Sequence, residues 1–323
     1  MELFTILNES IKLLPKNGKL MAFIAIFSVV LSSSIFLLFS YILQSLVIDM
    51  FVTSQQSFMP DPNSFADPSS LTPQTGFSPA QIIGPLRHLQ EDSSIILAVE
   101  IAFIFALSVI SFFSTISTIL VSSLSYNSKN SSPKEIFSMI ARKWTRPLIT
   151  TLYVSCLAIG YFFVVLLLAT PLLMYRNKAT LSVAILLGIV AFVFYLYLSV
   201  SWALAIVVSV VEESCYGIEA LGKAGALVKG KRLIGFLLNV CFVLVTLIVF
   251  LGYMIILGKK WLGNPIIYGL LVLIFLSLVK ILRAVAYAVL YFRCKVHHGE
   301  EVELHGGVEY SKLPTTQLAN DMP

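Results

Sequence analysis

Six stretches of apolar sequence, each long enough to cross a lipid bilayer, limit this chain to one class of fold. They run approximately 21–48, 95–124, 148–174, 180–211, 235–257 and 266–292. About 20 predominantly apolar residues suffice for a transmembrane helix. Membrane β-strands would instead alternate in character over about ten residues, and these runs do not alternate. In hydrocarbon every backbone N–H and C=O must be satisfied internally, so such runs become helices. Composition agrees: 58% of residues are apolar, 12% are charged, and mean hydropathy is +0.90, far from soluble-domain values. The expected fold is an all-α membrane protein with six transmembrane helices. The first run exceeds the apolar core of about 7–15 residues found in signal peptides, so it reads as a span rather than a cleaved leader.

Lys and Arg set the expected orientation. They gather before span 1 (Lys12, Lys16, Lys19), between spans 2 and 3 (Lys129, Lys134, Arg142, Lys143, Arg146) and between spans 4 and 5 (Lys223, Lys229, Lys231, Arg232). The tail adds Arg293, Lys295 and Lys312, whereas the alternate loops hold Arg87, Arg176, Lys178, Lys259 and Lys260. The positive-inside rule then places both termini in the cytosol, of either an endomembrane such as the endoplasmic reticulum or the plasma membrane. The segment 49–94, rich in Pro, Ser and Asp, is expected to be an exoplasmic and largely structureless loop, with a short surface helix near Ile82–Leu89. Cys156, Cys215, Cys241 and Cys294 all avoid that loop, so no disulfide framework is implied. Residues 1–20, 21–293 and 294–323 divide into an N-terminal cytosolic helix, the six-span domain and a cytosolic tail.

The cytosolic segments before spans 1, 3 and 5 each carry helical periodicity that runs into basic residues. Leu3, Leu7, Ser10, Ile11 and Leu14 share one face of the first. Pro133 at the first helical position and Glu135 open the second. Its apolar side is Ile136, Phe137, Ile140 and Trp144. The third places Ile218, Leu221, Ala224, Gly225 and Val228 together before Lys229-Gly-Lys-Arg232. Three cytosolic amphipathic interfacial helices follow, and with them a threefold repeat of interfacial helix, span, span. Juxtamembrane cytosolic segments also tend to be basic and amphipathic without any repeat. Arg142, Lys143, Arg146, Lys229, Lys231 and Arg232 are the candidate contacts to anionic lipid headgroups.

Residues 225–232, GALVKGKR, match all but the last position of the phosphate loop G-x-x-x-x-G-K-[ST]. That loop must leave a buried strand, and its final hydroxyl holds magnesium. Here the match follows a helical pattern, precedes an apolar span and ends on Arg232, so nucleotide hydrolysis is excluded.

Charges inside spans are costly and are functional candidates by default. Glu100 lies near the exoplasmic end of span 2, Glu212 and Glu213 close span 4, and Lys280 and Arg283 lie in span 6. These five form the candidate intramembrane polar network, with an ion pair expected between the Glu212–Glu213 pair and Arg283 or Lys280. Ser111, Ser114, Thr118, Ser122 and Ser125 line one face of span 2, which serves either close helix packing or a transport pathway. A transporter would show broken helices, hinted at by Gly160 to Pro171 in span 3. No catalytic motif is present, and no cofactor or metal is expected; the Cys294, His297, His298, His305 set lacks ordered ligand spacing. Tyr310-Ser-Lys-Leu313 fits a tyrosine-based sorting motif, its anchors being Tyr310 and Leu313.

The run SWALAIVVSVVEESCYGIEALGKAGALVKGKRLIGFLLNV (201–240), with YFRCKVHHGEEV (291–302) and VEYSKL in the tail, resembles a family of plant six-span uncharacterised transmembrane proteins. Some members are labelled binding partners of a polyadenylate-binding protein. The same region distantly resembles the membrane domain beside glycerophosphoryl diester phosphodiesterases, whose chemistry sits in a separate soluble domain absent here. The resemblance implies topology and a membrane role, a soluble cytosolic partner of the polyadenylate-binding kind, and no catalytic residues. The expected function is a non-enzymatic membrane-organising, lipid-interacting or trafficking protein. The alternatives are a permease using the intramembrane charges and a membrane adaptor for a soluble protein. Direct nucleic-acid binding is not expected.

Overall fold

A computed structural model of the chain describes residues 2–58, 79–126, 133–174, 177–212, 214–258 and 265–299. Nine helices occur among them: α1 (Glu2–Lys16), α2 (Gly18–Phe58), α3 (Pro79–Tyr126), α4 (Pro133–Lys143), α5 (Thr145–Met174), α6 (Lys178–Val211), α7 (Ile218–Leu227), α8 (Arg232–Gly258) and α9 (Pro265–His297). No strand occurs among the described residues. Six of the helices are long and apolar enough to cross a membrane, at Gly18–Val52, Ser94–Tyr126, Thr145–Met174, Lys178–Val211, Arg232–Gly258 and Ile266–His297. The chain is a multi-pass membrane protein, and each predicted span lies inside one of these helices.

The expected loop 49–94 is narrower than its composition implies. Helix α2 continues to Phe58 and α3 begins at Pro79. No Gly or Pro interrupts 49–58, so the helix propagates, and Pro79 occupies the first helical position, where its missing N–H costs nothing. Residues 59–78 lie outside the described residues. Span 3 is likewise unbroken: α5 runs continuously to Met174 with Pro171 inside it, so the transporter-like interruption is not realised.

Element order repeats three times as short helix, span, span, but the three units pack differently. Helices α2 and α3 pair closely, as do α5 and α6, whereas α9 touches α1, α2, α3, α6, α7 and α8. Helix α5 stands at the edge and buries only Pro147 and Thr150. The core occupies the half of the bundle nearest the short helices, which we call the near side. It is built from Ile6 and Leu13 of α1, Ile119 and Val121 of α3, Val200 through Val208 of α6, Leu238 of α8 and Val285 through Phe292 of α9. The far-side halves of the spans expose large apolar side chains such as Phe105, Phe162 and Ile255, as lipid-facing helices must.

Lipid tails are as apolar as Leu, so close backbone approach and interhelical hydrogen bonds hold such a bundle together. Gly235 supplies one approach: a Cβ there would stand 2.5 Å from Val200 Cγ1. Asn239 supplies the other, donating from Nδ2 to the Leu196 carbonyl at 3.1 Å and to Ser199 Oγ. Together they clamp α8 to α6.

Candidate functional site

The near side gathers the chain's polar side chains around the end of α9. Tyr291 is fully buried, and its hydroxyl donates to Glu212 Oε1 at 2.6 Å. Lys223 of α7 lies 2.7 Å from the other Glu212 oxygen. Two residues beyond Tyr291, Arg293 grips Glu9 of α1 through both carboxylate oxygens, with the Nε bond at 2.9 Å. His298 completes the ring with a 3.1 Å contact to the Leu227 carbonyl, which closes α7. Phe292 stacks on Tyr126 with centroids 4.4 Å apart, and Asn17 donates to Ser125 at 2.9 Å. Thus α9 is fastened to α1, to the end of α6 and to α7 at one level.

The electrostatics of this layer are resolved at Glu212. Burial opposes its charge, but hydrogen bonds from Lys223 and Tyr291, helped by the charges of Lys223 and Lys295, outweigh burial and hold its pKa below the usual carboxylate value. The ion pair expected between the acidic pair and Arg283 or Lys280 does not form at Glu212. Tyr291, which meets Glu212, lies roughly 12 Å along α9 from Arg283 at about 1.5 Å per residue, beyond reach. Arg283 instead donates to Asn239 Oδ1 at 3.2 Å and lies over the Tyr287 ring. Glu213 lies outside the described residues. Glu100 is exposed on the far side of α3 and joins no part of this layer. Lys280 faces a cavity between α2, α3, α8 and α9. The five charges therefore separate into different environments and do not form one network.

The candidate lipid contacts also divide. Helix α4 turns Ile136 into the core and exposes Phe137 (74%), while Trp144 just beyond it is partly exposed. Arg142 is exposed, and Lys143 and Arg146 are half-buried. Lys143 lines a small cavity of about 100 Å³ with Leu120, Met139, Ile140 and Val210. Burial lowers its pKa, and the neighbouring charges of Arg146 and Arg142 lower it further. Helix α4 thus exposes Phe137 and Arg142, an aromatic side chain and a cation as on a helix lying in the headgroup layer, while Lys143 turns toward the cavity.

GALVKGKR is the turn between α7 and α8. Gly230 has φ +98°, a left-handed conformation that lets the chain reverse before Arg232 opens α8. Lys229 is exposed and Lys231 half-buried. Arg232 is committed inward: it donates to Tyr197 Oη at 2.6 Å and to the Gly225 carbonyl at 3.2 Å, with its guanidinium over the Tyr197 ring. It is a helix-joining residue rather than a headgroup contact.

The short helices also rotate from their expected faces. In α1 the buried residues are Ile6, Ser10 and Leu13, leaving Ile11 exposed. In α7 they are Ala220, Ala224 and Leu227, leaving Ile218 exposed. Small residues turn inward in α7 because α6 lies close. Cys294, a cysteine just past the last predicted span where palmitoylation is the alternative to a plain small apolar residue, is 1% exposed and packs in the core. No group of three or more His, Cys, Asp or Glu that could hold a metal occurs among the described residues. His305 and the sorting motif at Tyr310 and Leu313 lie outside them. Sequence reading missed Asn239, although an amide inside an apolar span is a signal that could have found it. Tyr291 falls on the polar stripe of span 6, Glu9 opens the first short helix and Arg293 counts among the cytosolic cations, but their partners were not legible.

A family model described as a domain of unknown function (DUF8558) matches residues 1–306. No curated protein and no solved structure matches the chain.

Proposed function

The chain belongs to the DUF8558 family, and we propose that it is a non-enzymatic membrane protein whose interfacial helices recruit anionic lipid to the cytosolic leaflet. In that role it organises or shapes an endomembrane or plasma-membrane patch. The observation that carries the reading is the outer surface of α4. In this reading Phe137 and Trp144 enter the apolar boundary, the exposed Arg142 meets headgroups, and the half-buried Lys143 and Arg146 add positive charge behind it. Each cation near an anionic surface contributes about 1 kcal/mol, so Arg142 and Lys143 at the end of α4 and Arg146 in the first turn of α5 together give a distinct preference. Lys229 and Lys231 extend the basic surface at the α7–α8 turn. The latch of Glu9, Glu212 and Lys223 around α9 holds α1 and α7 at the same level.

The test uses the full chain in nanodiscs of mixed phosphatidylcholine and phosphatidylserine. Spin-labelled phosphatidylserine should be enriched next to the wild-type protein, with the enrichment falling as salt rises. Replacing Arg142, Lys143 and Arg146 together by Gln should remove most of it, while labelled phosphatidylcholine contact stays constant. Equal enrichment in the triple variant would sink the reading.

A further inference from the structure

Within the membrane half away from the latch, α2, α3, α8 and α9 part to leave a cavity of about 360 Å³, within the usual range of about 300–1,000 Å³ for small-ligand sites. Its lining is graded along the helix axes. Toward the near side it meets Ser28 and Ser32 of α2, Ser111 and Ser114 of α3, and Ser277 and Lys280 of α9. Toward the far side the wall is Phe36, Phe103, Leu107, Phe250 and Leu273, with the hydroxyl of Tyr253 the one polar group there. Helices α2, α3 and α9 show the same gradient although they do not all run in one direction, so it belongs to the cavity and not to one helix.

Lys280 is the chemically decisive residue. Roughly 25 Å of helix separates it from His297 at about 1.5 Å per residue, which is too far for its side chain to reach the near-side headgroups. Among the described residues no carboxylate lies within ion-pair distance of it. An ammonium inside a span is costly and calls for a counter-charge. Several neighbouring hydroxyls have already spent their protons: Thr115 donates to the Ser111 carbonyl, Thr118 to that of Ser114, and Ser277 to that of Leu273, at 2.7 to 2.8 Å. What they offer the cavity is acceptor lone pairs. Ser28, Ser32, Ser111 and Ser114, whose hydroxyls have no partner among the described residues, can donate beside the three N–H bonds of Lys280. Lys280 is the one charged residue in the lining, so it balances a singly charged head such as a carboxylate and leaves a doubly charged phosphate monoester with an uncompensated charge.

We propose that this cavity binds a medium-chain fatty acid such as laurate, its carboxylate paired with Lys280 and its chain laid along Phe36, Phe103, Leu107 and Phe250. The apolar end is matched to hydrocarbon and the polar end to one carboxylate. The bilayer delivers such a ligand at this depth. The site is separate from the α4 surface, so it stands whether or not that surface selects lipid.

The experiment is binding of tritiated laurate to the full chain in phosphatidylcholine nanodiscs, with competition by dodecanol and lysophosphatidic acid. Saturable binding should weaken about tenfold or more in Lys280→Gln, as loss of a charged hydrogen-bond partner demands. Dodecanol, with the same chain and no charge, should compete about tenfold less well than unlabelled laurate. The triple Gln variant of Arg142, Lys143 and Arg146 should bind laurate like wild type. Unchanged binding in Lys280→Gln, or dodecanol competing equally, overturns the proposal. Lysophosphatidic acid outcompeting laurate overturns the carboxylate assignment. If Lys280→Gln does not fold, the acid–alcohol comparison on the wild type still decides, and Leu107→Trp, which fills the apolar end, should abolish binding.

Discussion

At Glu212 three helices meet through one carboxylate. The residue closes α6, accepts from Tyr291 of α9 and pairs with Lys223 of α7. Its pKa is lowered because those hydrogen bonds outweigh the burial that opposes charge. A carboxylate with a lowered folded pKa contributes stability that is present above its ordinary value of 4.5 and is lost as pH falls through the folded value. Thermal unfolding in detergent should therefore show wild type losing stability below about pH 4.5 more steeply than Glu212→Gln. At neutral pH the same substitution should cost about 1.5–3 kcal/mol, the range for hydrogen bonds to charged groups. Parallel pH curves for the two proteins would show that the carboxylate is not the fastener described. Arg283 teaches the complementary lesson. At 100° per residue Arg283 shares a stripe of α9 with Ser277, Lys280, Tyr287, Tyr291 and Cys294, yet its partner is Asn239, a neutral amide at its own depth. A stripe reports direction around a helix and says nothing of the level at which a partner waits.

Among the elements, the short helices were the most legible, since α1, α4 and α7 each carry a periodic apolar face that ends in basic residues. Their exact rotation was less so. Helix α7 turns Ala220 and Ala224 inward and leaves the bulkier Ile218 outside, because closeness of approach to α6 matters more there than apolar volume. The spans themselves were legible as spans and nothing further. A helix apolar all round carries no face, so the central place of α9 and the edge position of α5 could not be read from sequence. Gly235 is a partial exception. Gly235→Val puts a side chain into Val200 and should destabilise by about 1–3 kcal/mol, the usual cost of overpacking. Gly252→Val, where no heavy atom stands within 4 Å of the added Cβ, should be close to neutral. Equal melting of the two variants in detergent would contradict the α6–α8 clamp.

For the whole molecule, the near side is packed and polar, whereas the far side is open and apolar. That asymmetry joins the two sites. The latch around α9 fixes the short helices at one membrane surface, and the parting of the far halves leaves the cavity under Lys280. The cavity was not legible in the sequence, although its residues were: Ser111, Ser114, Thr118 and Lys280 were singled out on separate helices, and only packing shows that they share a space. Lipid selection by α4 depends on that helix lying in the headgroup layer with Phe137 immersed. The direct measurement is spin-label depth by power saturation, on the full chain in phosphatidylserine-containing vesicles, with native cysteines replaced. A label at Phe137 should respond to oxygen more than to a water-soluble relaxer, and a label at Lys134 the reverse. Both labels reporting water would contradict an interfacial α4 and the lipid-recruiting role built on it.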